Sequence, residues 1–159
     1  NKYKKSSFEA YCYDFYNKNH IKYLNKKKNI IFKKINNLND KKNFDFCLII
    51  DVLHHIGLDN DEKIFKLIKK LKSKSKFLII KDHFQYGFFS NKLLIVMDLF
   101  SNYGDGTKIP KIYFSTKSFK KFIIKNKLNE IKRINNRKYY KWYWPFVNSS
   151  KIQFISILK

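Results

Sequence analysis

The sequence has few of the features that mark secreted, disulfide-linked or membrane-spanning proteins. Its two cysteines, Cys12 and Cys47, each lie in an apolar run, which is typical of buried free thiols in a reducing compartment. No apolar segment approaches the roughly 18 residues needed to span a bilayer, and no secretory hydrophobic region opens the chain. These absences predict a soluble, cytoplasmic protein.

Arginine and acidic residues are also scarce. Lysine and arginine together number 35 against 12 aspartates and glutamates, giving a net charge of +23, yet Arg133 and Arg137 are the only arginines. Such a charge favours nucleic acid or an anionic membrane as a partner. Nucleic-acid readers, however, prefer arginine for bidentate contacts, and the lysines here are spread from Lys2 to Lys159. Since an AT-rich genome produces the same bias, a nucleic-acid partner is the less favoured interpretation.

The rest of the pattern alternates short apolar runs with amphipathic segments, over a length that suits one domain with a real core. Period and composition predict strands at 8–15, 29–32, 44–50, 76–80, 128–135 and 151–158. Helices are predicted at 17–28, 59–72, 90–100 and 115–127. We see no internal repeat and predict a single domain, residues 1–159.

The order of these elements predicts the fold class. Strands that alternate with helices imply right-handed parallel crossovers, hence an α/β sheet with flanking helices. The nearly continuous apolar run from Phe44 to Ile50 is typical of a strand covered on both faces. The last two strands have no helix between them, so they pair antiparallel or lie apart in the sheet.

Acidic residues occur where three of the apolar runs end. Asp14, Asp51 and Asp82 each occupy such a position, and His54, His55 and His83 lie beside two of them. Ligands of an open parallel sheet bind at the carboxyl ends of the strands. The sequence therefore predicts that these side chains line a common ligand groove.

These residues resemble the class I S-adenosylmethionine-dependent methyltransferases. Phe44-Asp45, opening a strand that continues into Asp51-Val52-Leu53-His54-His55-Ile56, is similar to the family's fourth strand and the loop after it. The resemblance implies a Rossmann-like, mostly parallel sheet with a C-terminal antiparallel strand pair, and S-adenosylmethionine as the cofactor. It also implies cofactor contacts from Asp51, Val52, Leu53 and His54.

Two further segments extend the cofactor resemblance. Asp14-Phe15 falls where the family places an acidic residue for the ribose hydroxyls and an apolar neighbour for adenine. Asn36 falls near the end of the third strand, where many members carry an Asp that contacts the adenine amine. Asparagine keeps the acceptor there but loses the charge.

The second half of the chain is similar to a bacterial methyltransferase subgroup in which Lys-Asp-His follows the fifth strand and a helix with Met-Asp follows. The matching letters are IKDHFQYGFFSNKLLIVMDLFSNYG, with a later IPKIYFS. The resemblance implies that Asp82 and His83 form an acid–base pair near the methyl group. His55 is a second candidate base, with a purely structural role as the alternative. A metal site is not predicted, since adjacent side chains such as His54 and His55 should diverge and no third ligand lies at metal spacing.

One part of the family pattern has no counterpart. The glycine-rich turn after the first strand is missing, because the four glycines, at 57, 87, 104 and 106, all lie downstream. We expect a chain truncated at its N-terminus, with the first strand absent and poor cofactor affinity on its own. The favoured function is methyl transfer to a small-molecule acceptor. The alternatives are a lysine-rich nucleic-acid-binding domain or RNA methyltransferase, and an inactive methyltransferase-like domain.

Overall fold

The computed structural model describes residues 10–14, 30–34, 43–56, 61–104, 108–135 and 152–159, with backbone alone for 10–14, 30–34 and 61. The chain divides into two compact units, residues 1–42 and 43–159. The prediction of a single domain therefore stays a prediction. The predicted helix 17–28 and the first two residues of the predicted helix 59–72 lie outside the described residues.

The first unit contains a two-stranded parallel sheet. Strand β1, Ala10–Asp14, pairs with β2, Ile30–Lys34, in a register that places Ala10 beside Ile30 and Asp14 beside Lys34. Both strands were predicted, to within a few residues. Asp14 is the last residue of β1, as the sequence indicated.

The second unit is built on a four-stranded sheet in the order β3-β4-β6-β5. Strand β3, Phe44–Ile50, runs parallel to β4, Ser75–His83, which pairs antiparallel with β6, Gln153–Leu158. Strand β5, Glu130–Asn135, pairs antiparallel with the other edge of β6. The predicted α/β class and its C-terminal antiparallel pair are confirmed.

The described residues of this unit form four helices: α1, Leu53–Ile56; α2, Asp61–Lys72; α3, Phe88–Ser101; and α4, Thr116–Lys125. Helix α2 buries Ile64, Ile68 and Leu71, the stripe that its period predicts, whereas Phe65 is exposed. Within the described residues, no helix combines the length and the apolar character needed to cross a membrane.

Strand β4 is longer than the sequence predicted. Its apolar run ends at Ile80, but Leu78–His83 all pair with β6, so the strand continues through Lys81 and Asp82. Asp82 therefore lies inside the sheet, fully buried, rather than directly after a strand. Backbone pairing decides where a strand ends, and the hydrophobic pattern does not report it.

Strand β3 is covered on one face only, contrary to prediction. Phe46, Leu48 and Ile50 share a face because side chains alternate along a strand, and they are 58%, 62% and 54% exposed. Ile49, on the opposite face, is buried. The apolar run identified the strand correctly but could not tell which of its faces are covered.

A cluster of aromatic rings forms part of the core beneath the sheet. The ring of Phe84 stacks on that of Phe154 with 3.9 Å between centroids, and Phe119 of α4 meets both rings. This packing holds the C-terminal end of β4 between β6 and α4. It thereby fixes the position of the polar residues that end β4.

Candidate functional site

A cavity of about 210 Å³ opens where β3 and β4 end. It is lined by Asp51, His54, His55, His83, Leu94, Met97, Asp98, Ser101, Asn102 and Tyr113. Parallel strands present such sites at their carboxyl ends, and β3 and β4 are parallel. The polar side chains in this list come from the β3–α1 turn, helix α1, the end of β4, helix α3 with the residue after it, and the segment before α4.

The turn after β3 has an unusual backbone. Asp51 has a φ of +51°, in the left-handed region that Asp tolerates better than most residues. Its N–H still donates to the carbonyl of Lys81 at 2.9 Å, so the turn begins while the chain is attached to β4. Strained residues of this kind concentrate at binding and catalytic sites.

Of the two carboxylate oxygens of Asp51, one accepts a hydrogen bond from a protein side chain. Its Oδ2 accepts a hydrogen bond from Lys81 Nζ, whereas its buried Oδ1 has no hydrogen-bond partner within the described part of the chain. Oδ1 lies 3.5 Å from His83 Nδ1. A buried acceptor without a donor is costly unless a ligand or water supplies one.

His54 and Asp82 form a fully buried pair behind the cavity. His54 Nδ1 lies 2.5 Å from Asp82 Oδ1, which also accepts the backbone N–H of His83 at 2.7 Å. Burial alone would lower the pKa of His54, but Asp82 and Asp98 outweigh it and raise that pKa to about 9. Burial opposes ionisation of Asp82 as well, yet the bonds from His54 and His83 hold its pKa well below the usual range.

His55 faces the cavity in a defined tautomer. Its Nδ1 lies 3.1 Å from the carbonyl oxygen of Lys108. A carbonyl only accepts hydrogen bonds, so Nδ1 carries the proton and Nε2 is left with a lone pair. The ring is 20% exposed and its centroid lies 4.2 Å from that of His54.

Asp98, on helix α3, lies next to both His54 and His55. Its Oδ2 lies 3.3 Å from His54 Nε2 and 3.8 Å from His55 Nε2, and it accepts a hydrogen bond from Tyr113 Oη. Burial raises the pKa of Asp98, but His54 and Tyr113 outweigh it, and the net shift is downward. Burial, followed by the neighbouring carboxylate of Asp98, raises the pKa of Tyr113, which keeps its hydroxyl protonated as a donor.

The structure brings together some of the predicted site residues and not others. Asp51, His54, His55 and His83 line one cavity, whereas Asp82, which was predicted to lie beside them, does not. Val52 and Leu53 do not line it, and Leu53 is fully buried. The side chain of Asp14 and the residues Phe15 and Asn36 lie outside what the structure describes.

The predicted role of Asp82 and His83 as an acid–base pair stays a prediction. The ring of His83 lies 3.8 Å from Asp82 Oδ1, whereas His54 takes the short contact. The side chains of neighbouring residues in a strand point to opposite faces of the sheet, so Asp82 and His83 do not face each other directly. Asp82 reaches His54 because β3 and β4 lie side by side, which places α1 next to the end of β4.

The expectation that the two adjacent histidines diverge was wrong. Within the described residues, His54, His55 and Asp98 place three possible ligand atoms within 4.8 Å of one another, and His54, Asp82 and His83 do the same. Each ring is turned by its own partner, Asp82 for His54 and the Lys108 carbonyl for His55. Neither partner could be inferred from the spacing of the two histidines in the sequence, because both partners are distant in sequence.

Asp98 and Tyr113 were not singled out as site residues. The only sequence signals are the Met-Asp pair of the similar bacterial subgroup, which contains Asp98, and the later segment IPKIYFS, which contains Tyr113. Both reach the cavity from elements that the sequence places far from His54.

Comparison with known proteins identifies the fold. No protein-family model and no curated protein matches the sequence. Among solved structures, LepI in complex with S-adenosylmethionine superposes with a TM-score of 0.61 at 9% identity, covering 98% of this chain and 37% of LepI. The chain has the fold of the S-adenosylmethionine-dependent methyltransferases.

Two methyltransferases agree with this. Magnesium protoporphyrin IX methyltransferase (ChlM) from Synechocystis PCC 6803, with bound S-adenosylhomocysteine, gives a TM-score of 0.56 at 15% identity, covering 94% of this chain and 63% of ChlM. An S-adenosylmethionine-dependent methyltransferase from Methanosarcina mazei gives a TM-score of 0.62 at 13% identity, covering 96% of this chain and 82% of that protein. The chain thus spans less than two thirds of LepI and of ChlM. At these identities, the likeness establishes the fold.

Proposed function

We propose that the chain transfers the methyl group of S-adenosylmethionine to a small-molecule acceptor. The observation that carries this proposal is the cavity at the carboxyl ends of β3 and β4, where an unpartnered carboxylate oxygen and three imidazoles converge. The cavity lies in a fold whose solved examples include complexes with S-adenosylmethionine and S-adenosylhomocysteine.

The residues present fit the donor groups of such a cofactor. Asp51 Oδ1 is buried and without a donor, so it suits a hydroxyl or ammonium group. Asp14 and Phe15 are proposed for the ribose and adenine, with Asn36 on the adenine amine. His54 borders the cavity, whereas Val52 and Leu53 shape the turn that carries it. When bound, S-adenosylmethionine supplies an electrophilic sulfonium methyl for in-line attack by the acceptor.

The acceptor side of the cavity suits a small molecule. Leu94, Met97 and Tyr113 form an apolar wall, and the volume of about 210 Å³ admits a ring or a short chain rather than a folded polymer. Methyl transfer needs mainly that the two reactants be held in line. A cavity with one apolar wall and one polar wall supplies that orientation.

Removal of a proton from the acceptor is assigned to His55. Its Nδ1–H is donated to the Lys108 carbonyl, which leaves the Nε2 lone pair facing the cavity. Histidine is the side chain that most often serves as a general base in enzymes. Asp82 acts as a positioning residue through His54, and His83 lines the cavity near Asp51.

Titration calorimetry with S-adenosylhomocysteine tests the cofactor assignment. We expect weak but saturable binding to a single site, weakened further by about 1–3 kcal/mol in Asp14→Ala, because a hydrogen bond to a charged group is lost. Asp51→Asn should weaken binding as well. The control is Asp45→Asn, which removes the same charge from an exposed residue paired with Lys76. Absence of saturable binding, or equal loss in Asp45→Asn, would overturn the assignment.

A labelling experiment tests the acceptor class. The chain is incubated with methyl-labelled S-adenosylmethionine and a cell extract, and the products are separated by size. Label in the low-molecular-weight fraction is expected. Label in a polymer that nuclease digests would instead support the nucleic-acid alternative.

A further inference from the structure

We propose that His54, His55 and Asp98 bind a divalent transition-metal ion, of the class that prefers imidazole and carboxylate ligands, at the wall of the cavity. The two histidines come from α1 and the carboxylate from α3. The proposal does not rest on the proposed methyl transfer, since binding of the ion needs only these three side chains.

The ligand atoms already have the required spacing. Asp98 Oδ2 lies 3.3 Å from His54 Nε2 and 3.8 Å from His55 Nε2, and each of the three residues offers a ligand atom within 4.8 Å of the other two. Ligands about 2.0–2.2 Å from a tetrahedral zinc ion are separated by roughly 3.3–3.6 Å. Small rotations of the side chains would therefore place one ion at bonding distance from all three.

Outer partners orient both imidazoles toward that point. His54 Nδ1 is bonded to the buried Asp82 carboxylate, and His55 Nδ1 to the carbonyl of Lys108. A metal-ligating histidine almost always has its second nitrogen bonded to a carboxylate or a backbone carbonyl in this way. The carboxylate ligand is held too, since Asp98 Oδ2 accepts the Tyr113 hydroxyl.

The atom at the centre of the cluster lacks a hydrogen-bond partner. His54 Nε2 is buried, on a side chain that is 1% exposed, and it forms no hydrogen bond within the described part of the chain. It points at Asp98 Oδ2 across 3.3 Å. A metal ion that displaces the Nε2 proton to solvent and binds both atoms would satisfy both, and the surrounding carboxylates of Asp82 and Asp98 would offset its charge.

The second cluster, His54 with Asp82 and His83, is the weaker candidate. Asp82 Oδ1 is already occupied by His54 Nδ1 and by the backbone N–H of His83. Its side chain is fully buried and does not line the cavity. These residues are therefore better described as the outer support of the first cluster.

Three protein ligands leave a further position open toward the cavity. Imidazole and carboxylate ligands suit zinc, cobalt, iron and manganese, whereas calcium and magnesium prefer oxygen alone. An ion here would also take the lone pair of His55, so the role of His55 as a base applies to the metal-free chain. Metal binding and methyl transfer can thus fail separately.

The test uses the chain after treatment with a chelator and its removal. Calorimetric titration with Zn²⁺ should show one tight site. Titration with Co²⁺ should give visible d–d absorption without a thiolate-to-cobalt charge-transfer band, since no cysteine is a ligand. Asp98→Asn and His55→Gln should each abolish that site, and Asp82→Asn should weaken it about 10–100-fold because it loses an outer partner.

Asp51→Asn is the matched control, since it removes an equal charge from the same cavity without removing a ligand. It should leave zinc affinity within about threefold, a limit well below the effect of losing even an outer partner. Circular dichroism confirms that each variant is folded, and His55→Gln is the more tolerant substitution because the ring is partly exposed. A thiolate band, tight binding that persists in both ligand variants, or no tight zinc site in the folded chain would overturn the proposal.

Discussion

His54 and Asp82 are separated by 28 residues in sequence, yet His54 Nδ1 lies 2.5 Å from Asp82 Oδ1, with the two side chains 1% and 0% exposed. This contact joins the turn after β3 to the end of β4. Its strength follows from its burial, because there is no water to replace either partner.

The first prediction is that Asp82→Asn destabilises the chain. At neutral pH the substitution leaves His54 without its charged partner in a buried site, and we expect the free energy of unfolding to fall by about 1.5–3 kcal/mol. Urea unfolding at pH 7, in the presence of a chelator, measures the change.

The control for this prediction is Asp45→Asn. Asp45 also pairs with a cation, Lys76, at 2.8 Å, but both side chains are more than 70% exposed. Solvent screens such a pair, so no measurable change is expected. Equal losses in the free energy of unfolding would show that the buried pair stabilises the chain no more than the exposed pair does.

The second prediction concerns the two faces of β3. Ile49→Ala should lower the free energy of unfolding by about 2–5 kcal/mol, as for other buried aliphatic residues, since Ile49 is only 6% exposed. Leu48→Ala, one residue earlier and 62% exposed, should cost less than about 1 kcal/mol. Thermal or urea unfolding of the two variants compares them directly, and similar losses would mean that both faces are covered.

Much of the fold could be predicted because it is encoded locally. The buried stripe of α2 and the apolar runs of β3 and β4 are visible as periods in the sequence, and each has its counterpart in the structure. The length of β4 could not be predicted, since Lys81 and Asp82 belong to it only through pairing with β6. Coverage of a strand face likewise depends on residues distant in sequence.

The candidate site could be predicted in part for the same reason. Polar residues after an apolar run pointed to Asp51 and His54, which do line the cavity. The pairing of Asp82 with His54 and the approach of Asp98 could not be predicted, because each depends on how α1 and α3 lie against the sheet. The convergence of His54 and His55 follows from those same tertiary contacts.

The third prediction tests the start of α4. Ser115 Oγ accepts the N–H of Ser118 at 3.0 Å, and Ser118 Oγ accepts the N–H of Ser115 at 2.8 Å. Ser115→Ala removes half of this capping box and should destabilise the chain by about 1 kcal/mol. Lys117→Ala, an exposed change in the same turn, should stay within about 0.5 kcal/mol. Thermal unfolding measures both, and an equal effect would count against the cap.

The fourth prediction is that Cys47 reacts slowly in the native chain. Burial raises its pKa to about 11, so the thiolate, which is the reactive form, is scarce at pH 8. Relative to a thiol with a pKa near 9, alkylation by iodoacetamide should be about 100-fold slower, and the rate should keep rising with pH up to about 11. The measurement uses Cys12→Ser, so that only one thiol reports, and the same chain in urea is the control. A native rate equal to the unfolded rate at pH 8 would contradict the burial of this side of β3.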